Sequence, residues 1–500
     1  MKAKKTNNLK LQRMKSTNNP ANGLLASQKD SNPDNRANSI QTKMYADVQD
    51  SSLFQAAQHL GHEYLENIFD RNVFPSEKAL FDLKEFDEVM PTASSDANTI
   101  LNLLSTYGAP ATVATLGGRY FGFVSGGAVP AGLAVKSLAT FWDQAPAMHV
   151  LSPIGSKLES VVETWLRDLF RLPEKTVAGF VSGTSSANFC GLAAARFRLL
   201  SNLGWNINEK GLHSAPKLRI VTGAHAHSTV LKAISLLGFG TENIEWVAVD
   251  DQGRILSEAL PELDAKTIVI LQAGNVNSGS FDNFNDICKK ANRANAWVHI
   301  DGAFGLWAAA VDKLNHLTKG IALADSWAVD GHKTLNTPYD SGIVLCADEE
   351  AIRSALHMAG SYIVSSDQRD GMFYTPEMSR RARVIELWAT LKYLGKEGID
   401  EMIYEMHQRA VQFAEELSKI DGFTILNDVV FNQVLVQCDT DALTLKTMQY
   451  VQRLRDCWAG GSVWNNRKVI RVSVCSWATT AEDIRRSVKS FQKALLLAQK

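Results

Sequence analysis

A lysine at position 333 sits in the run Asp330-Gly-His-Lys-Thr334, between two segments that read as strands and among glycine, histidine and small polar residues. That setting explains a solvated surface charge poorly. A lysine taken partly out of water loses its proton readily, and the free amine is the nucleophile that forms Schiff bases. His332 beside it either touches an anion or simply packs. Thirty-two residues earlier, His-Ile-Asp-Gly-Ala-Phe (299–304) puts Asp301 at the C-terminal end of an apolar run, the edge at which open α/β sheets bind ligands. A carboxylate there can hold a ring nitrogen protonated, which makes a pyridinium an electron sink, or it can be a plain strand-end cap.

Two further segments repeat this placement. Gly223-Ala-His-Ala-His-Ser-Thr229 follows an apolar run, and an imidazole from it, His227, could lie flat over a ring; a satisfied structural histidine is the competing reading. Phe180-Val-Ser-Gly-Thr-Ser-Ser-Ala-Asn188 joins a strand to a helix whose first turn offers Thr184, Ser185 and Ser186 as donors to a phosphate. In isolation an ordinary Ser/Thr cap explains that segment better. No GxGxxG and no GxxxxGK[ST] is present, so neither a dinucleotide fold nor a P-loop is supported.

The elements that must position these residues are legible in outline. Apolar runs at Val177–Val181, Leu218–Val221, Thr267–Leu271, Ala296–Ile300 and Gly342–Cys346 alternate with helical segments, which predicts crossover units and a largely parallel sheet covered on both faces. A core helix is expected over Ile154–Arg171, and another over Phe189–Leu200. Beyond about residue 350 come helices over Ser379–Leu394 and Glu401–Ile420, strands at Gly422–Leu426, Val430–Gln437 and Val469–Val474, and a last helix over Ala481–Gln499. The expected organisation is a disordered tail (1–45), an N-terminal helical arm for dimerisation (46–110), an α/β large domain (111–355) and a smaller C-terminal α+β domain (356–500). Within the arm, Phe54, Ala57, Leu60, Tyr64, Leu65, Ile68 and Phe69 recur at helical spacing.

Composition narrows the function classes. A net charge of -1 over 500 residues gives no electrostatic reason to expect nucleic acid or an anionic membrane, so a small-molecule substrate fits better. The best candidate for a membrane span, Val124–Val135, carries three glycines, a serine and a proline, and is shorter than the roughly 20 apolar residues a span needs. The six cysteines lie far apart with no CxxC pair, and neither they nor His225 and His227 have the spacing of a metal site, so no metal is expected. A reduced, cytoplasmic compartment is the expectation.

Ser182 through Ser186, Ala226-His227-Ser228, Val298 through Ala303 and Asp330 through Lys333 occur in the order and approximate spacing of one family. The chain resembles the group II pyridoxal-phosphate decarboxylases, which act on aromatic amino acids, glutamate or histidine, and which have the aspartate-aminotransferase fold (fold type I). Arg119-Tyr-Phe-Gly122, Ser152-Pro153 through Glu159, Gln272 through Asn275 with Phe281-Asp282, Ser379-Arg-Arg381 and Arg471 through Cys475 extend the match over roughly residues 50 to 495. The resemblance implies pyridoxal 5'-phosphate held as a Schiff base by Lys333, with Asp301 on the pyridine nitrogen and His227 stacked on the ring. It implies Thr184, Ser185, Ser186 and His332 around the phosphate, Asn275 near the cofactor hydroxyl and Ala303 under the ring. Arg471 is similar in place to an arginine that receives a substrate carboxylate, and the segment around Tyr120, Phe121 and Phe123 is placed to receive a side chain, with Phe121 the substrate-binding candidate.

The implied activity is decarboxylation of an L-amino acid by a homodimer with sites at its interface. An aminotransferase, an aldehyde synthase, a carbon–carbon lyase, or a cofactor-binding protein without activity would share the scaffold. The match departs from the family where Asp330-Gly331 replaces a common Asn-Pro and Thr334 a tryptophan, so no phosphate contact is assigned to Asp330. Animal members carry a long mobile loop whose tyrosine reprotonates the product. The corresponding stretch here, Ser361–Pro376, is short, and Tyr374 is the tyrosine nearest that role.

Overall fold

The computed structural model describes residues 39–357 and 367–500. The expected tail therefore lies outside the described residues as far as residue 38, as does the first part of the Ser361–Pro376 stretch. Contacts divide the chain into two compact units, one containing residues 39–63 and 84–109, the other residues 64–83 and 110–500.

In the first unit, a helix spans Ile40–Gln49, so the arm begins inside the stretch expected to be tail. The cause is local: Ser39 accepts a hydrogen bond from the Thr42 amide and starts the helix. The next helix, Ser51–Ile68, follows the predicted periodicity closely. Lys43 Nζ donates to the carbonyl of Ser95 at 2.6 Å, joining the two sequence segments of this unit.

The second unit is built on a seven-stranded sheet of β1 (Val177–Val181), β2 (Arg219–Gly223), β3 (Ile244–Val247), β4 (Thr267–Gln272), β5 (Trp297–Asp301), β6 (Ser326–Asp330) and β7 (Gly342–Cys346), in the order β1-β7-β6-β5-β4-β2-β3. Only β7 runs antiparallel to its neighbours. The alternation of each strand divides its residues between two cores. Val269 and Leu271 enter one, with the helices Pro153–Leu169 and Phe284–Arg293; Ile268 and Ile270 enter the other, with the helix Thr184–Asn202. Because both faces are covered, the strands read as continuous apolar runs. β3 and β6 were not anticipated as strands, since their polar residues and tryptophans break that pattern.

A second sheet, β10-β11-β9-β8, is wholly antiparallel: β8 (Phe423–Ile425), β9 (Gln433–Cys438), β10 (Gly460–Trp464) and β11 (Arg467–Ser473). β10 begins Gly-Gly-Ser and gave no strand signal. The helices Asp441–Leu454 and Ala481–Ala498 pack on this sheet. The expected boundary between the two domains at residue 355/356 does not follow the cores. The helical stretch Val384–Leu417, broken at Gly395 (φ 60°), buries Val384 through Ile403 in the large core and Met406 through Leu417 in the small one. Among the described residues, no helix is long and apolar enough to cross a membrane.

Candidate active site

Six parallel strands end at one edge of the large sheet, and the sequence-predicted residues arrive there from five of them. β1 leads into Thr184, Ser185 and Ser186; β2 into His227; β4 into Asn275; β5 ends on Asp301, with Ala303 just beyond; β6 ends on Asp330, followed by His332 and Lys333. The approach of β7 to the first of these loops is close. A side chain on Gly342 would meet the backbone of Gly183 at 2.3 Å, so glycine there lets the loop lie against the strand.

Lys333 Nζ lies 2.9 Å from Asp330 Oδ2. Burial opposes the charge on the amine, but Asp330 and then Asp301 outweigh it and hold the lysine pKa above its ordinary value. The expectation of a readily deprotonated lysine is therefore corrected for this state: a buried carboxylate, not water, decides its charge. Asp330, to which the sequence assigned no part, is 1% exposed and also accepts the Thr184 amide at 2.7 Å. Burial would raise its pKa, yet Lys333, His332 and Thr184 together hold it below the usual carboxylate value. The signal that could have found it is the i, i+3 spacing of an acid and a lysine across a strand end.

Asp301 is 4% exposed, accepts the Ala303 amide (3.2 Å) and Asn188 Nδ2 (3.3 Å), and forms no ion pair among the described residues. Burial holds its pKa above the usual carboxylate value, against the pull of His227 and Lys333. His227 caps the helix Ser228–Leu236, its Nδ1 accepting from the Thr229 amide, and burial keeps the imidazole neutral against the pull of Asp301. His332 is fixed by three contacts: Nδ1 accepts the Ser341 amide at 3.1 Å, Nε2 lies 3.6 Å from Asp330, and the ring stacks on Tyr339 with centroids 4.3 Å apart. Arg471 reaches from β11 to the carbonyl of Val276 beyond β4 (3.3 Å), and its charge bears on His227.

A polar ligand is called for at this edge. Thr184 Oγ, Asn275 Nδ2 and His225 Nδ1 are buried without a hydrogen-bond partner, and each such group costs about 1–3 kcal/mol if nothing fills the gap. Asp301 is a buried carboxylate without a counter-ion. Donors at a helix start, an unpaired carboxylate and an amine on one strand edge fit a compound carrying a phosphate, a protonated ring nitrogen and a carbonyl.

Two predicted residues are not brought to the site. Phe121 is fully buried in the small-domain core, edge-on to Phe413 at 5.9 Å, because its backbone pairs with Trp458 and Ser473 and turns the ring inward. Phe123, with φ 53° and 67% exposed, is the one of the three aromatics left open, stacked on Trp458. Tyr374 is also corrected. Its hydroxyl donates to Glu349 at 2.7 Å, just beyond the C-terminal end of antiparallel β7, which places it at the opposite edge of the sheet. The tyrosine whose charge bears on Lys333 is Tyr339, hydrogen-bonded to Ser125. Asn336, likewise missed, donates to the carbonyls of Lys333, Thr334 and Cys475 and accepts the Gly127 amide, clamping the lysine turn.

The sequence profile of the pyridoxal-dependent decarboxylase conserved domain matches residues 119–438. The chain belongs to that family. This decarboxylase-family chain is 29% identical over 269 residues to the acidic amino acid decarboxylase GADL1 of Mus musculus, covering 51% of the chain and 48% of the relative. It thus spans about half the length of that relative. It is 25% identical over 385 residues to the aromatic-L-amino-acid decarboxylase of Bacillus atrophaeus, covering 73% of the chain and 77% of the relative. Its fold is that of Oryza sativa TDC crystallised with PLP and tryptamine (TM-score 0.83, 20% identity, 90% of this chain and 98% of that one). It is also that of mouse CSAD (TM-score 0.81, 19% identity, 89% and 98%).

Proposed function

We propose that this chain is a pyridoxal 5'-phosphate-dependent decarboxylase that releases CO2 from an L-amino acid and leaves an amine. The observation that carries the reading is the convergence of Lys333, Asp301 and His227 on one strand edge, in mutual electrostatic contact, with Asp301 lacking a counter-ion. When bound there, pyridoxal phosphate supplies a carbonyl that condenses with amines and a ring that accepts the electron pair left by CO2.

The chain's own groups divide the remaining work. Lys333 Nζ is the amine, and Asp330 Oδ2 at 2.9 Å holds it in place. Asp301 presents its carboxylate to the ring nitrogen and keeps that nitrogen protonated. His227 would cover the ring and exclude water, and Ala303 would leave room for it. Thr184, Ser185 and Ser186, with His332, hold the phosphate, and Asn275 donates to the cofactor hydroxyl. Arg471 receives a carboxylate of the substrate.

The working unit in this reading is a homodimer in the cytoplasm. The helix Ile40–Gln49 supports the dimer: it buries none of its residues and exposes Ile40, Met44, Tyr45 and Val48. The compartment is supported by six cysteines that are all buried and unpaired.

The test is a panel of L-amino acids offered to purified protein loaded with pyridoxal phosphate, with CO2, amine, aldehyde and ammonia measured. CO2 and amine in equal amounts are expected; a keto acid without CO2 would overturn the reaction proposed. A monomeric mass by light scattering would overturn the dimer.

A further inference from the structure

Asp301 is held from behind by a chain of buried side chains that no part of the proposed mechanism uses. Asn188, on the helix Thr184–Asn202, places Nδ2 at 3.3 Å from Asp301 Oδ2 and Oδ1 at 2.9 Å from His299 Nε2. His299 Nδ1 is 2.8 Å from Ser326 Oγ, to which Trp297 Nε1 donates at 3.0 Å. Asn188, His299 and Ser326 are all 0% exposed, so each polar atom must find its partner within the protein.

Donor and acceptor roles follow link by link. A carboxylate oxygen only accepts, so Asn188 turns its NH2 to Asp301 and its carbonyl to His299. The carbonyl only accepts, so His299 Nε2 carries the hydrogen. His299 faces no charged group, and burial alone lowers its pKa to about 3, so the ring is neutral and Nδ1 is bare. Ser326 therefore donates to Nδ1, and Trp297 donates to Ser326. Every bond points its positive end towards Asp301. Asn188 Nδ2 also donates to Thr229 Oγ at 3.4 Å, and that hydroxyl lies 2.8 Å from His227 Nδ1. That nitrogen already accepts the Thr229 amide, so it too is bare and His227 carries its hydrogen on Nε2.

We propose that Asn188, locked in orientation by His299, is a positioning residue that fixes the ionised state of Asp301 and the tautomer of His227 together. Bonds aligned in one direction polarise one another and stabilise the negative end, which opposes the cost of burying the carboxylate. The other groups facing Asp301, His227 and Lys333, act on its charge from the cofactor side. Room for the chain depends on Gly191, where a side chain would meet the His299 ring at 2.6 Å.

This inference rests on the proposed function for its consequence and on the apoprotein for its geometry, and two measurements separate them. In 15N-histidine-labelled apoprotein, His299 should remain a neutral ring with hydrogen on Nε2 from about pH 5 to 9. A cationic ring or hydrogen on Nδ1 would reverse Asn188 and overturn the proposal, whatever the cofactor does. In protein loaded with ring-15N pyridoxal phosphate, His299→Phe should shift the nitrogen signal towards the unprotonated form. It should also lower kcat about tenfold with KM unchanged, the size of one charge-assisted hydrogen bond. His299→Gln, which restores an N–H towards Asn188, should recover most of both. Thr229→Val, which leaves Asp301 linked, should alter the His227 signal alone and serves if His299→Phe does not fold. An unchanged ring-nitrogen signal in folded His299→Phe overturns the proposal; wild-type protein that forms no imine with pyridoxal phosphate overturns the function and leaves the tautomer measurement to decide the chain.

Discussion

Two buried charge clusters flank the large sheet. Beside the start of β1, Arg369 pairs with Glu159 (3.2 Å) and Glu163 (2.6 Å) and also donates to the carbonyl of Ala178, while Arg380 pairs with Glu159 at 2.7 Å. Two carboxylates meet two guanidiniums. At the opposite edge, two buried carboxylates, Asp301 and Asp330, lie near a single lysine, which pairs with Asp330. Balanced burial makes a structural joint; burial short of one cation leaves a carboxylate open to a cationic group of a ligand.

That contrast breaks most completely with Lys333→Ala. The protein should fold, and pyridoxal phosphate should give neither imine absorption nor a borohydride-reducible adduct; retained turnover would erase the distinction between the edges. At the other edge, Arg369→Ala leaves Glu163 unpaired and Glu159 with Arg380 alone, and should cost about 3–5 kcal/mol in denaturant unfolding, with kcat of the folded fraction unchanged. Asp301→Asn should do the reverse. Stability should hold while kcat falls about 10²–10³-fold, the size of one lost preorganised electrostatic group.

Asp330→Asn sharpens the comparison through pH. In the apoprotein Lys333 has a pKa raised above 10.5 and Asp330 one lowered below 3.8, so their stabilisation is present at neutral pH. It is lost as pH falls through the depressed Asp330 value and as it rises through the elevated Lys333 value. With asparagine at 330, burial dominates, the lysine pKa falls, and the pH at which Lys333 begins to capture pyridoxal phosphate should move down. An unmoved profile would remove Asp330 from the pair. The smallest effect is expected of Tyr374→Phe, which loses one hydrogen bond to Glu349, about 0.5–1.5 kcal/mol, and leaves kcat unaltered.

Legibility in the sequence tracked the range of the interaction. Asp301, His227 and the Thr184–Ser186 turn were readable because each follows an apolar run, and parallel strands carry their C-terminal ends to one edge; Lys333 was readable from its setting among glycine, histidine and small polar residues. Tyr374 was misjudged because its nearness to the family's loop is a nearness along the chain, whereas antiparallel β7 puts Glu349, its partner, at the far edge. Phe121 was misjudged because a strand-like aromatic triplet does not say which ring turns inward; the pairing with Trp458 decides it. Asp330 and Asn336 were passed over because their partners include groups far away in sequence, such as the Thr184 amide and the Cys475 carbonyl.

By itself, the sequence determined a mostly parallel α/β sheet, and it placed a lysine, a carboxylate and a helical start with donors at the C-terminal ends of its strands, since local periodicity and residue type speak to all three. Only the tertiary structure decided that Lys333 is held as an ammonium by Asp330, that Asp301 is backed by Asn188 and His299, and that Tyr374 and Phe121 belong elsewhere. The charge of Lys333 depends on burial as well as on Asp330 three residues away, and donor direction around Asp301 depends on partners far along the chain, such as His299 and Asn188 at a separation of 111, which no local pattern encodes.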